Sequence, residues 1–237
     1  MTEPIFYIVE VEMPDHGLKE FMEWYAGVHA AHLYEAGFTT CASYRAVAGG
    51  LPIVDVYQGP SWDIFERESF NRYRGIAAQD SYRPEFLTSA RNVRTVYTHH
   101  GWSSAAAATA SRPLNADWLT VWRFSGDGES GERVADWLAR EGEARLLDLG
   151  ITQIRLIHRA KDAPTGQSPR PSWALIGEWN TRPPANAHPD ILLSGLVPPV
   201  ADEEMFMGFR LYSWADDRAV RVAALQMANE RARSPRT

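Results

Sequence analysis

Two histidines, His29 and His32, are the residues of this sequence best suited by type and spacing to carry chemistry. They continue the apolar stripe Leu18, Phe21, Met22, Tyr25 at intervals of four and three residues, so a regular helix points both towards whatever the stripe covers. An imidazole there loses part of its hydration, which favours the neutral form and leaves a usable base or acid near neutral pH. A single buried histidine more often hydrogen-bonds a backbone carbonyl and merely packs, but two on one face weaken that reading for the pair. Tyr57, Tyr97 and His99 are the expected catalytic companions, bringing a hydroxyl or a second imidazole to a developing oxyanion. Each has a plainer alternative, as a core tyrosine with its hydroxyl at the rim or an exposed strand end. Adjacent His99 and His100 point to opposite faces of a strand, so at most one of them lines a given pocket. Trp24, Tyr25, Trp62 and Trp102 are expected to bind substrate as pocket walls.

The elements that must position these residues follow a pattern that occurs twice. Residues 5–48 and 118–161 fall into register at a constant offset of 113, which matches Trp24 with Trp137 and Gly37 with Gly150. In the first copy, strands are predicted over 5–13, 38–47, 53–57 and 93–98. Helices are predicted over 18–36, closed by Gly37 as a left-handed cap, and from residue 61 onwards. That order is β-α-β-β-α-β, the ferredoxin-like split, with the first and third strands central and the fourth beside the first. The second copy starts alike, with a strand over 118–124, a helix over 132–149 and strands over 151–159 and 173–179. Its prolines then predict irregular coil over 180–205 with a helix near Ile191, a closing strand over 209–214 and a terminal helix over 218–231. Residues 103–116 have the composition of a linker.

A four-stranded antiparallel sheet with helices on one face needs cover on the other. The fold class is therefore α+β: two tandem ferredoxin-like units, 1–102 and 117–237, packed sheet to sheet as an eight-stranded barrel or sandwich. His29 and His32 correspond to Gly142 and Arg145, so the first unit is expected to be catalytic and the second structural.

The string Trp24-Tyr25-x3-His29-x2-His32-Leu33-x3-Gly37-Phe38, leading to Ser43-Tyr44-Arg45, resembles the helix-to-strand segment of dimeric α+β barrel proteins of the EthD-like and muconolactone-isomerase-like branch. The fold pattern covers nearly the whole chain and the histidine motif only its first half. The resemblance implies a fused dimeric α+β barrel. Its members include cofactor-free polyketide cyclases, isomerases and quinone-forming monooxygenases, and haem enzymes built from two fused units. Among those, iron is held from the second unit, which makes His158 the candidate axial ligand here. No accompanying motif surrounds it, and no cofactor is expected. A metal set of His29, His32 and His99 with Asp55 or Glu10 lacks recognisable ligand spacing, so no metal is expected either.

Composition narrows the partners. Net charge −6, from 24 basic and 30 acidic residues, argues against nucleic acid. No apolar run reaches the length of a membrane span, the start carries no basic leader, and Cys41 is alone, so a cytoplasmic protein without membrane contact is expected. Nine tryptophans suit flat apolar pockets. The reading is a cofactor-independent acid–base enzyme, a cyclase, isomerase, dehydratase or lyase, for a small aromatic or polyketide-like carbonyl compound. The alternatives are a haem-dependent or cofactor-free oxygenase and a non-catalytic small-molecule-binding protein. A homodimer is compatible with all three.

Overall fold

Alternation along the first strand sets the architecture. The computed structural model describes residues 3–125, 128–159, 162, 164, 166, 168–184, 187, 201–212 and 222. In it, β1 (Ile5–Val11) turns Phe6 and Ile8 to one side and Tyr7 and Val9 to the other. The further strands are β2 (Thr40–Ala48), β3 (Ile53–Gly59), β4 (Asn92–His100), β5 (Trp118–Ser125), β6 (Gln153–His158), β7 (Trp173–Trp179) and β8 (Ala201–Arg210). All pair antiparallel and close into a barrel in the order β1-β3-β2-β8-β5-β7-β6-β4. Each run of four, β4-β1-β3-β2 and β6-β7-β5-β8, has its first and third strands in the centre and its fourth beside the first. The β2–β8 and β4–β6 ladders join the two runs, so residues on either side of 103–116 share one sheet.

Phe6, Ile8, Val54, Val56, Val121 and Ile176 fill the barrel and are fully buried, each contributing roughly 1.5–3 kcal/mol by leaving water. Interior positions near the rims carry paired charges instead. Glu10 meets Arg123 at 3.0 Å and Arg170 at 2.8 Å at one rim, and Arg155 meets Glu178 at 2.6 Å at the other.

Helices cover the outer faces. α1 (Leu18–Trp24) runs through a π turn (Tyr25–His29) into α2 (Ala30–Ala36), and α3 (Glu68–Ala78) lies beside α2. α4 (Ser104–Thr109) follows β4, and α5 (Gly128–Trp137) runs through a second π turn (Leu138–Gly142) into α6 (Glu143–Asp148). The two π turns stand 113 residues apart, as do Gly37 (φ 109°) and Gly150 (φ 101°), which end their helices in the left-handed conformation.

Two expectations need correction. The stretch 103–116 is not a solvated linker: Leu114 and Ala116 are fully buried in the barrel interior, where Tyr44 donates to the Ala116 carbonyl at 3.0 Å. Arg155 donates to the carbonyls of Ala110 and Arg112, each at 3.0 Å, so the stretch plugs one barrel mouth. The closing strand is Ala201–Arg210 and not 209–214, because Ala201, Glu204 and Met205, within the stretch expected as coil, already pair with β5. The helix expected near Ile191 lies outside the described residues, as does all but Val222 of that expected over 218–231. No described helix is long and apolar enough to cross a membrane.

Candidate active site

Outward-facing side chains of β3, β1 and β4 form rows across the sheet. Asp55, Val9 and Arg94 stand in one row, flanked by Tyr57 and Tyr7 on one side and by Val11 and Asn92 on the other. These residues are the floor of a cavity of about 290 Å³, near the lower end of the range of small-molecule sites. Trp24 and His29 come from α1 and its π turn, and Phe70 and Tyr73 from α3. Leu87 closes a further wall.

Within the cavity the polar groups form a chain. His29 Nε2 lies 3.3 Å from the Tyr57 hydroxyl, and that hydroxyl donates to Asp55 Oδ2 at 3.2 Å. Having given its only hydrogen to the carboxylate, Tyr57 accepts one from His29 Nε2, which leaves Nδ1 as the acceptor. Trp24 stacks on the imidazole at 4.5 Å between centroids, and its indole nitrogen donates to Asp80 at 2.7 Å, so the ring is held in place from behind. Burial lowers the His29 pKa to about 3, with Arg83 and Arg94 adding to the effect and Asp80 opposing it. Burial raises Asp55 to about 7, against the hydroxyls of Ser43 and Tyr57, which favour its charged form. Near neutral pH the chain thus joins a neutral imidazole to a carboxyl group that is poised to exchange its proton.

Of the residues singled out from the sequence, the structure brings His29, Tyr57 and Trp24 together at this cavity and places the others elsewhere. His32 is the first correction. The π turn holds one residue more than a helical turn and so rotates everything after it by about 100°. His32 therefore lies beside Glu35, 3.7 Å from its carboxylate, and not on the cavity wall. Tyr97 and His99 are the second: both face the barrel interior, on the opposite side of β4 from Arg94. Tyr97 donates there to the Pro171 carbonyl at 3.0 Å, and His99 stacks on Trp102 at 6.2 Å. Tyr25 is fully buried behind Tyr57, with ring centroids 6.4 Å apart. Trp62 packs on Phe65, and Trp102 donates to Glu143 in the other half of the molecule. Asp55 was weighed in the sequence only as a metal ligand. The signal for its place beside Tyr57 was present, since a carboxylate two residues before that tyrosine in a strand must share its face. Arg83 and Arg94 carried no signal of that kind.

The second half fills the corresponding space. Gly142 stands where His29 does, and the ladders put Leu175 and Gly177 where Asp55 and Tyr57 are. Trp137, matching Trp24, occupies the room of the missing imidazole: a Cβ on Gly142 would come within 2.5 Å of its ring. Trp122 and Trp179 complete a fully buried layer. A haem at His158 does not fit. That ring stacks on Trp173 at 5.1 Å, and Trp173 in turn presses against Gly131 of α5, where an added Cβ would lie 2.0 Å from the indole.

No protein-family model matches the chain, and no curated protein matches it in sequence. Several solved structures share its architecture. It is similar to TA0507, a candidate chlorite dismutase, with TM-score 0.57 and 10% identity over 96% of this chain and 100% of that one. It is also similar to an anthrone oxidase-like protein, with TM-score 0.53 and 11% identity over 90% and 92% of the two chains. A third is a candidate monooxygenase from Lactobacillus acidophilus, with TM-score 0.51 and 10% identity over 88% and 94%. At these identities the likeness is one of fold, and the fold is the dimeric α+β barrel, closed here within a single chain.

Proposed function

We propose that the chain is a cofactor-independent enzyme that removes a proton beside the carbonyl of a small aromatic or polyketide-like molecule. The observation that carries this reading is the His29–Tyr57–Asp55 chain on the wall of an aromatic cavity. As substrate C–H bond breaks, the proton passes to His29 Nδ1, the Nε2 proton to the Tyr57 oxygen and the Tyr57 proton to Asp55. The electron pair stays on the substrate as an enolate. The imidazole changes tautomer and never becomes a cation, which suits a ring that burial keeps neutral. The finer assignments go with this reading: an EthD-like member formed from two tandem ferredoxin-like units, with residues 1–102 catalytic and 117–237 structural.

Two outcomes are open to the carbanion. Without oxygen it is reprotonated at another atom (isomerase), attacks a second carbonyl carbon of the same molecule, whose oxygen takes up the proton (cyclase), or expels a β leaving group that takes up the proton (lyase or dehydratase). Capture by dioxygen gives a cofactor-free oxygenase, a second reading favoured by the anthrone oxidase-like and candidate monooxygenase neighbours. Deuterium uptake by anthrone and 2-tetralone in D2O, followed by NMR without oxygen, tests the shared first step. An oxygen electrode then separates the outcomes. Tyr57→Phe and Asp55→Asn should each slow exchange by about a hundredfold to ten-thousandfold with the fold intact by circular dichroism. Full exchange in both folded variants would remove the site from consideration.

A further inference from the structure

We infer that the substrate of this cavity carries a carboxylate or an equivalent oxyanion, which the wall formed by Arg94, Arg83 and Arg74 receives; this rests on the cavity being the binding site. The chain as a whole has net charge −6, yet three guanidinium groups line this one cavity. The single carboxyl in the lining, Asp55, is engaged by the Tyr57 hydroxyl. None of the three arginines forms an ion pair with a described residue. The Arg83 guanidinium donates from Nη2 to the Leu87 carbonyl at 2.8 Å, which holds the head group in place and leaves its charge without a carboxylate partner among the described residues. Asp80, the nearby carboxylate, is spent on the Trp24 indole and the Tyr82 amide. An apolar cavity with unbalanced positive charge focuses its field on an entering anion, and a planar guanidinium matches a carboxylate in two hydrogen bonds.

The row geometry adds a length. Asp55 and Arg94 flank Val9 in one row, so their backbones stand two strand spacings apart, roughly 10 Å. A fused-ring acid of that span lies over Val9 with its charge at Arg94 and its enolisable carbon by His29, and Asn92 is one step further along the same wall.

The test compares 2-naphthoate with 2-naphthamide, equal in shape and unequal in charge, by titration calorimetry. The acid should bind about tenfold or more tighter, the advantage should shrink with added salt, and both ligands should shift the His29 ring signals in NMR. Arg94→Met should bring the acid to within about twofold of the amide, with circular dichroism as the folding control, and Arg83→Met should act in the same direction. Equal affinities in the wild type, an acid preference that survives both substitutions, or acid binding that leaves His29 unmoved or is absent would each overturn the inference. Tyr57→Phe should keep the preference. If deuterium exchange fails while acid-selective binding at His29 stands, only the acid–base reading falls; exchange without acid preference removes only this one.

Discussion

Asp55 and His29 are pushed by burial in opposite directions, and the pair should therefore hide its own pH dependence. Asp55 keeps its proton up to about pH 7 in the fold but releases it near 3.8 when unfolded, so its contribution to stability falls as pH rises between those values and is flat above. His29 stays neutral in the fold down to about pH 3 but is charged below 6.5 when unfolded, so its contribution rises with pH across that window. Each slope is about 1.4 kcal/mol per pH unit at most, and between the two windows' common limits they nearly cancel. Asp55→Asn should uncover the histidine slope, giving stability that climbs from mildly acidic pH towards 6.5 and then levels. His29→Gln should uncover the other, giving stability that declines towards pH 7. Urea midpoints across pH for the three proteins check this; three parallel profiles would mean that the groups are not buried as described. On the proposed reaction the carboxylate must be ionised to accept the proton, so the rate should rise with pH through about 7, a limb that Asp55→Asn removes.

The two π turns show how alike the halves are as elements and how differently they are filled. Gly27 sits in the first with nothing within 4 Å of an added Cβ, whereas at Gly142 in the second the Trp137 ring is 2.5 Å away. Gly27→Ala should raise stability by about 0.5–1 kcal/mol through helix propensity, and Gly142→Ala should lower it by about 1–3 kcal/mol through overpacking. Thermal midpoints of the two variants check the contrast, and a loss at Gly27 would show that its π turn depends on the glycine. The sequence made the helix stripe from Leu18 to Tyr25, the cap at Gly37 and the strands legible, because each is a local periodicity. The π turn left no mark in composition, and so His32 was assigned a face it does not have. Period two tied Tyr97 to His99 but did not say which side of β4 they share, which depends on the register with β1. Asp55 and the arginines meet only because three strands, α3 and a loop converge, a juxtaposition without a sequence interval to reveal it.

The barrel as a whole couples the cavity of one half to the packing of the other. The outer face of the second half is sealed with indoles, so its helices act as a rigid buttress, while the aromatic face of the first half keeps a cavity. What joins them is the interior core with its two ionic rims, together with the β2–β8 and β4–β6 ladders. Arg155 is fully buried, bound to Glu178 on one side and to the carbonyls of the 103–116 plug on the other. Glu178→Gln would strand that guanidinium without a counter-charge, at a cost of about 3–5 kcal/mol, and would loosen the plug at the same time. Because the strands of both halves hydrogen-bond into one sheet, the loss should appear as one lowered transition and not as partial melting. The indole NMR signals of Trp122, Trp137 and Trp179 follow the buried layer of the second half, and the His29 ring signals follow the cavity of the first. The two probes should lose their native values at the same urea concentration in the wild type and, at a lower one, in Glu178→Gln. If the His29 signals outlast those of the indoles, the halves unfold separately and the closed sheet does not make them one cooperative unit.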